Sequence, residues 1–398
     1  MSSNLLAVPD FRRLWYVGFI ANVVRWLETL AFALFAYGAT GSAFVVTALT
    51  MLRLLPMGMF GAFLGVAADR VERRSALIGI VIVSMATVLI LGVLAAVGGI
   101  AIWHLALACF INGICWTADN PVRRIMMGDA VGPERMAAAM SVDIATSNIT
   151  RVVGPAFSGV LLASFGLAGV FWICLVLYAT SLAAALGLNV RHRPERAPQT
   201  SFGASMREGF ACLRTSDRLI GVFAITVIFN MFAWPILSLV PVIATDHFGL
   251  GPQGAGLFAS CDGVGGFLGA LLIAGLARPA WQGRVYAGGV ACYLLLVLAY
   301  ALAGTVWLAA ALLVLIGLVG VGFSVMQTTL VYRFAPVPLR GRMLGLLSMC
   351  IGTGPLGFIY LGWLADTFTP RMATLLLAAQ GMLVLVLAQR YWRPVLRA

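Results

Sequence analysis

Gly65-Val66-Ala67-Ala68-Asp69-Arg70-Val71-Glu72-Arg73-Arg74 is the stretch that decides the fold. It packs three arginines and two acids into ten residues between apolar runs over 44–68 and 75–98. Each run is long enough to cross the hydrocarbon core, which takes about 20 residues of helix. Basic residues resist translocation and stay on the cytoplasmic side, so this turn is predicted to face the cytoplasm. Working outward, arginine returns in every second gap. All 26 basic residues are arginine, and 22 lie near the ends or in alternate gaps. These are Arg12 and Arg13; Arg70, Arg73 and Arg74; Arg123, Arg124 and Arg135; six from Arg191 to Arg218; Arg278 and Arg284; Arg333, Arg340 and Arg342; and Arg390, Arg393 and Arg397. The intervening gaps hold almost none, Arg371 being the exception. The alternation predicts an all-α integral membrane protein with twelve transmembrane helices and both termini cytoplasmic.

The spans are predicted over 14–38, 44–68, 75–98, 101–122, 137–164, 168–190, 219–245, 253–277, 285–304, 306–330, 343–366 and 372–390. The outer turns are short: Thr40-Gly41-Ser42, Gly98-Gly99, Phe165-Gly166 and Gly304-Thr305. The longest polar segment, 191–218, divides the spans six and six and includes a predicted surface helix around Ser205–Leu213. The expected organisation is therefore an N-terminal six-helix bundle over 1–190, a cytoplasmic linker over 191–218, and a C-terminal six-helix bundle over 219–398. The halves repeat weakly. Val131-Gly132-Pro133-Glu134-Arg135-Met136 resembles Val337-Pro338-Leu339-Arg340-Gly341-Arg342-Met343 at the equivalent loop, Arg340 lying 205 positions after Arg135. Such repeats suit two pseudo-symmetric bundles that rock about a central site.

Composition excludes several classes. The chain is 62% hydrophobic and 10% charged, where a soluble domain carries roughly 25% charged residues; its mean hydropathy is +1.00. The net charge of +12 is dispersed over short loops that face anionic headgroups, so membrane lipids, not nucleic acid, are the expected contact. The seven cysteines lie almost entirely in apolar stretches without metal-ligand spacing and read as small apolar fillers. Met1 to Pro9 is polar and the first apolar run is of full membrane length, so no cleavable signal is expected. A phosphate-binding G-x-x-x-x-G-K-[ST] loop cannot exist without lysine, so ATP is not the direct energy source. No cofactor, metal or enzyme activity is expected.

Ionisable residues inside a membrane cost several kcal/mol each and face the protein interior or a watery cavity. Here they are Arg25 and Glu28 in the first span, Arg53 in the second, Asp119 in the fourth, Asp143 and Arg151 in the fifth, and Asp262 in the eighth. The third, sixth, ninth and twelfth spans carry none in their interiors and are predicted to face lipid. Arg25 and Glu28, three residues apart, share one helix face. Two readings stand: a structural ion pair that locks the first span, or a mobile pair exchanged between proton, substrate and protein. Arg53 either snorkels outward or pairs with Glu28. Asp143 either pairs with Arg123 or Arg124 or titrates. Asp262 has no charged neighbour in its own helix, and isolation in low dielectric raises a carboxyl pKa, which makes it a proton-carrier candidate. Asn148 and Asn230 complete the candidate substrate- and proton-binding set.

Two backbone motifs add gating candidates. Gly154-Pro155-Ala156-Phe157-Ser158-Gly159 lies within the fifth span, where proline breaks the hydrogen-bond ladder and glycines admit a second helix. The opening stretch supplies Gly65, Asp69, Arg70 and Arg74, a charge cluster that either latches one bundle to the other or only anchors the loop. Arg123 and Arg124 belong to the same cytoplasmic edge.

That stretch, through Gly65, Asp69, Arg70 and Arg74, resembles the signature loop between the second and third spans of the major facilitator superfamily; Glu72 stands where many members have glycine. The Gly154-Pro155 segment resembles the fifth-span motif of its antiporter members. Pro121-Val122-Arg123-Arg124, Asp129, Pro133-Glu134, Arg151-Val152-Val153-Gly154-Pro155 and Thr40-Gly41-Ser42 are similar to the enterobactin exporter and macrolide efflux subgroup. In the second half the signature loop has decayed to Ala277-Arg278-Pro279-Ala280-Trp281-Gln282-Gly283-Arg284. The resemblance implies alternating access, proton antiport and a small-molecule substrate.

The leading expectation is a secondary exporter of small amphiphilic molecules of drug or siderophore type, driven by proton entry, monomeric and placed in a bacterial cytoplasmic membrane. Phe, Met and Trp in the spans suit an adaptable apolar cavity. Two other readings stay open: an importer or facilitator of a small anionic solute, because intramembrane arginines can hold a carboxylate or phosphate, and a lipid or lysolipid flippase.

Overall fold

The computed structural model describes residues 5–70, 72–189, 202–214, 216–276 and 281–396, with the backbone alone at 61–70, 202–206, 209, 274–276 and 338. These residues form fifteen α-helices and short 3-10 turns, with no strand among them. In chain order the helices are α1 Pro9–Thr40, α2 Ala43–Arg70, α3 Arg73–Ala96, α4 Ile102–Val131, α5 Met136–Leu186, α6 Phe202–Arg214, α7 Asp217–Phe232, α8 Val240–Asp246, α9 Pro252–Leu276, α10 Gln282–Leu302, α11 Val306–Phe334, α12 Arg340–Ile351, α13 Gly354–Thr367, α14 Pro370–Leu387 and α15 Gln389–Leu396.

Among the described residues, ten stretches are long and apolar enough to cross a membrane. One of them contains α5, whose hydrogen bonding runs through a kink at Gly166 (φ 63°). That left-handed conformation strains any residue with a Cβ, so the chain reverses there and α5 supplies two spans. Helix α4 adds the twelfth: its 30 residues are long enough, although His104, Asn112 and Asp119 dilute its hydropathy. The fold is therefore a twelve-span helical membrane protein. Gly41 and Gly98, with φ 64° and 71°, make two more of the turns expected from sequence. The surface helix expected near 205–213 is α6, and the two similar loops each fold as one 3-10 turn, Pro133–Arg135 and Val337–Leu339, leading into a helix.

Two spans are broken. The seventh consists of α7, a 3-10 stretch Trp234–Leu239 and α8, because Pro235 has no N–H for the ladder. The eleventh breaks between α12 and α13 at Gly352-Thr353, ahead of Pro355. The breaks lie together: a Cβ on Gly354 would sit 3.2 Å from the Trp234 ring, and one on Gly357 2.8 Å from Pro235 Cγ.

The chain groups into two compact units: Met1–Ala39, Leu52–Pro198 and Gly251–Leu257, and Thr40–Met51, Gln199–Leu250 and Phe258–Ala398. The first holds most of the buried charge, Glu28, Arg53, Asp119, Arg123 and Asp143. The second is braced by an uncharged network, in which Tyr286 Oη donates to the Val222 carbonyl (2.9 Å) and lies 2.8 Å from Thr226 Oγ1, to which Gln327 Nε2 donates at 3.1 Å. Helix α3 exposes an apolar strip, Ile82, Val83, Leu89, Ile90 and Val93, as a lipid-facing span requires. Arg371, the exception to the charge alternation, donates to the Ala301 and Ala303 carbonyls (3.1 and 2.9 Å) that end α10. The unsatisfied carbonyls of a helix C-terminus attract a cation, and that fixes this arginine at the end of α10.

Candidate functional site

Helix α1 carries Arg25 and Glu28 on one face, but Glu28 takes its ion pair from the next helix. Arg53 Nη2 of α2 donates to Glu28 Oε2 at 2.9 Å, while Asn112 Nδ2 of α4 donates to both carboxylate oxygens at 3.1 and 2.9 Å. Arg53 Nη1 also donates to the Arg25 carbonyl (3.1 Å) and to Thr29 Oγ1 (2.7 Å). Three helices thus meet on one carboxylate. Gly113 permits this approach, since a Cβ there would collide with the Arg53 carbonyl and Pro56. Of the two roles open to Arg53, the structure shows pairing with Glu28. The Arg25–Glu28 pair read from spacing does not form; the Arg25 guanidinium instead lies over the Trp116 ring, 4.3 Å from its centroid.

A second cluster lies further along the same unit. Buried Arg123 donates from Nε to Asp119 Oδ2 (3.1 Å) and from Nη1 to Asp143 Oδ1 (2.6 Å), and Arg124 Nε reaches Asp143 Oδ2 at 3.2 Å. Two acids and two arginines balance. Asp143 therefore has both of its suggested partners, and Asp119 is enclosed, only 6% exposed. Arg73 pairs with Asp129 (3.1 Å). Arg74 donates to the Leu186 carbonyl at the end of α5 (2.8 Å). Gly65, Asp69 and Arg70 fall in α2, where the side chains lie outside the described residues.

The Gly154–Gly159 motif presents two faces, because five residues turn a helix by about 140° beyond a full circle. A Cβ on Gly154 would sit 2.5 Å from Trp26 Cβ on α1, and Ser158 Oγ donates to the Leu27 carbonyl (2.9 Å). Gly159 faces the start of α9, where an added Cβ would be 3.1 Å from Gly256 Cα. Asn148 and Arg151 are half-buried on α5 between these contacts and the Arg123 cluster. In the second unit Asn230 is buried and donates to its own helix at the Thr226 carbonyl (2.8 Å), close to the break after α7. Asp262, buried on α9, lies beside Gly317 of α11, where a Cβ would strike its carbonyl.

The first unit encloses a cavity of about 60 Å³ lined by Arg25, Glu28, Arg53, Ser84, Asn112 and Trp116, among others. Asn112 and Trp116 were not singled out from sequence. Their signal was present: with Asp119 they recur at i, i+4 and i+7, one polar face in an otherwise apolar helix. Among the described residues no group of His, Cys, Asp and Glu could hold a metal ion.

Twelve apolar spans, with charged residues buried beside a cavity in the first unit, are an architecture suited to moving solutes across a membrane. The model of the transmembrane secretion effector family matches residues 4–395, and the chain belongs to that family of the major facilitator superfamily, whose members are transporters and not enzymes. It is 23% identical over 267 residues to macrolide efflux protein A of Streptococcus pyogenes, a match covering 65% of each chain. It is 27% identical over 392 residues to the multidrug efflux pump Tap of Mycolicibacterium fortuitum, covering 93% of this chain and 92% of the pump. Among solved structures, the nucleoside transporter NupG superposes with a TM-score of 0.78 at 16% identity, over 96% of this chain and 99% of that one; this last likeness is one of fold.

Proposed function

We propose that this protein exports small amphiphilic molecules of drug or siderophore type across a bacterial cytoplasmic membrane, by alternating access coupled to proton entry. The observation that carries the reading is the Glu28–Arg53–Asn112 cluster on the wall of the first unit's cavity, in a chain similar to proteins named for macrolide and multidrug efflux. With Glu28 ionised, its charge is balanced by Arg53. Protonation removes the negative charge and with it the ion pair, while the bonds from Arg53 to Thr29 and the Arg25 carbonyl remain. The two states differ by one buried unit charge, and a ligand or proton shifts a conformational equilibrium only through such a difference. In this reading Arg25, Glu28, Arg53, Asp119, Asp143, Asn148, Arg151, Asn230 and Asp262 handle substrate and protons. Gly65, Asp69, Arg70, Arg74, Arg123, Arg124, Gly154, Pro155 and Gly159 act in gating. The bundles are 1–190 and 219–398, joined by a cytoplasmic linker over 191–218; the protein works as a monomer with both termini cytoplasmic, touching lipid and no nucleic acid. The test is purified protein in proteoliposomes with an imposed pH gradient, assayed against macrolides, lipophilic dyes and siderophores. Uphill movement of at least one compound that stops when the gradient is collapsed is expected. Movement that only ever follows the solute's own gradient would overturn the coupling.

A further inference from the structure

The cavity of the first unit has more positive charge than its own acids answer. Glu28 is claimed by Arg53 and Asn112, and Asp119 by Arg123. Arg25 lines the same cavity, and among the described residues its guanidinium has neither an acid nor a hydrogen-bond acceptor; its contacts are the rings of Trp116 at 4.3 Å and Trp26 at 5.7 Å. Two neighbouring cations, Arg53 and Arg151, act on it electrostatically. An aromatic ring covers the flat face of a guanidinium and leaves its N–H edges free to donate in the plane. Two further polar atoms on the cavity-lining residues, Ser181 Oγ and Asn112 Oδ1, are buried without a partner. Buried polar atoms in native proteins are nearly always satisfied, so two such atoms, lining one cavity with a guanidinium whose N–H edges are open, mark a place where a bound molecule completes the bonding.

We propose that this cavity binds the head group of the transported molecule, and that the head is a carboxylate with a hydrogen-bond donor, such as a hydroxyl, beside it. Arg25 meets the carboxylate edge-on, the Ser181 hydroxyl donates to it, and the neighbouring hydroxyl donates to Asn112 Oδ1. A buried water needs about 10–15 Å³ of such space, so 60 Å³ accommodates a small polar head and excludes a whole drug-sized body. This deepens the export reading by naming the cargo's recognition element, and rests on it only for the bound molecule being cargo.

The test is calorimetric binding to purified protein in lipid nanodiscs without any gradient, so binding is read independently of pumping. The probes are mandelate, phenylacetate, mandelamide and inorganic phosphate. Mandelate is expected to bind several-fold tighter than phenylacetate, which lacks the hydroxyl, and at least about 10-fold tighter than neutral mandelamide, a gap of about 1.4 kcal/mol. Arg25→Gln should abolish the preference for acid over amide, and Arg25→Lys should keep part of it. Should Arg25→Gln fail to fold, Ser181→Ala should weaken mandelate several-fold and leave mandelamide unchanged. Equal binding of mandelate and mandelamide, or an unchanged preference in a folded Arg25→Gln protein, overturns the site. Phosphate binding more tightly than mandelate, in an Arg25-dependent way, overturns the carboxylate assignment. Binding as expected without uphill transport would keep the site and sink the export reading.

Discussion

Arg53 gives three hydrogen bonds to three acceptors on α1: the Glu28 carboxylate, the Arg25 carbonyl and the Thr29 hydroxyl. Glu28 is 2% exposed, so removing the cation strands a buried charge, which costs about 3–5 kcal/mol where such pairs have been cut. Arg53→Leu should therefore lower the thermal midpoint of the detergent-solubilised protein markedly, whereas the double change Glu28→Leu with Arg53→Leu should recover most of it. A single variant as stable as the parent would show that the clasp contributes nothing to folding. The charged residues of this cluster were legible in the sequence, because charge inside a membrane span stands out against an apolar background. Their pairing was only half legible. Spacing puts Arg25 and Glu28 on one face, but it carries no information on which neighbouring helix approaches that face. Glu28 had two cations in prospect, and the one offering hydrogen bonds alongside a second donor, Asn112, holds it. Arg25, left without an acid, found an aromatic face four residues beyond Asn112 on the same helix.

At the scale of elements, α5 shows how one motif serves two contacts. Gly154 meets Trp26, whose neighbour in sequence is Arg25, and Gly159 meets Gly256. Gly154→Leu would place a branched side chain where Trp26 Cβ already stands 2.5 Å from an added Cβ. The variant should reach the membrane in normal amount but transport at a rate reduced by at least about 10-fold, or leak substrate from loaded vesicles. Parent-like flux and tightness would reduce the motif to a tolerated kink. The helix boundaries were legible from hydropathy and from the glycine-bearing turns, since a positive φ is open to glycine at little cost. The breaks at Trp234-Pro235 and Gly352-Thr353 were not. Both lie inside apolar runs, and averaged hydropathy is blind to a missing N–H; Pro235 and Pro355 were the local signal, and only the packing of Gly354 and Gly357 against α7 and its 3-10 extension shows that the two breaks belong together.

Over the whole molecule, arginine alternation and charge burial make separate predictions. The alternation requires a reporter fused at Arg196 or Ala398 to read cytoplasmic and one at Gly41 to read external; a single fusion on the opposite side breaks the twelve-span orientation. Charge burial bears on energy coupling. The described interior of the first unit concentrates acids beside arginines, while Asp262 is the buried acid of the second. A carboxyl that carries protons has to exist in two charge states within one working cycle, and each state has to favour a different conformation. Glu28 meets that need best, because its protonation dissolves an ion pair joining α1 to α2 and loosens the Asn112 contact from α4 in one event. Asp119 and Asp143 share Arg123, so neutralising either leaves that arginine still bonded to the other. Glu28→Gln should accordingly abolish accumulation against a pH gradient while leaving downhill exchange, and Asp262→Asn should slow transport without uncoupling it. Uphill transport that survives Glu28→Gln and fails in Asp262→Asn would move the carrier to Asp262 and leave the Glu28–Arg53 pair structural. If both variants still couple, neither Glu28 nor Asp262 carries the proton, and Asp143 and Asp119 beside Arg123 take their place.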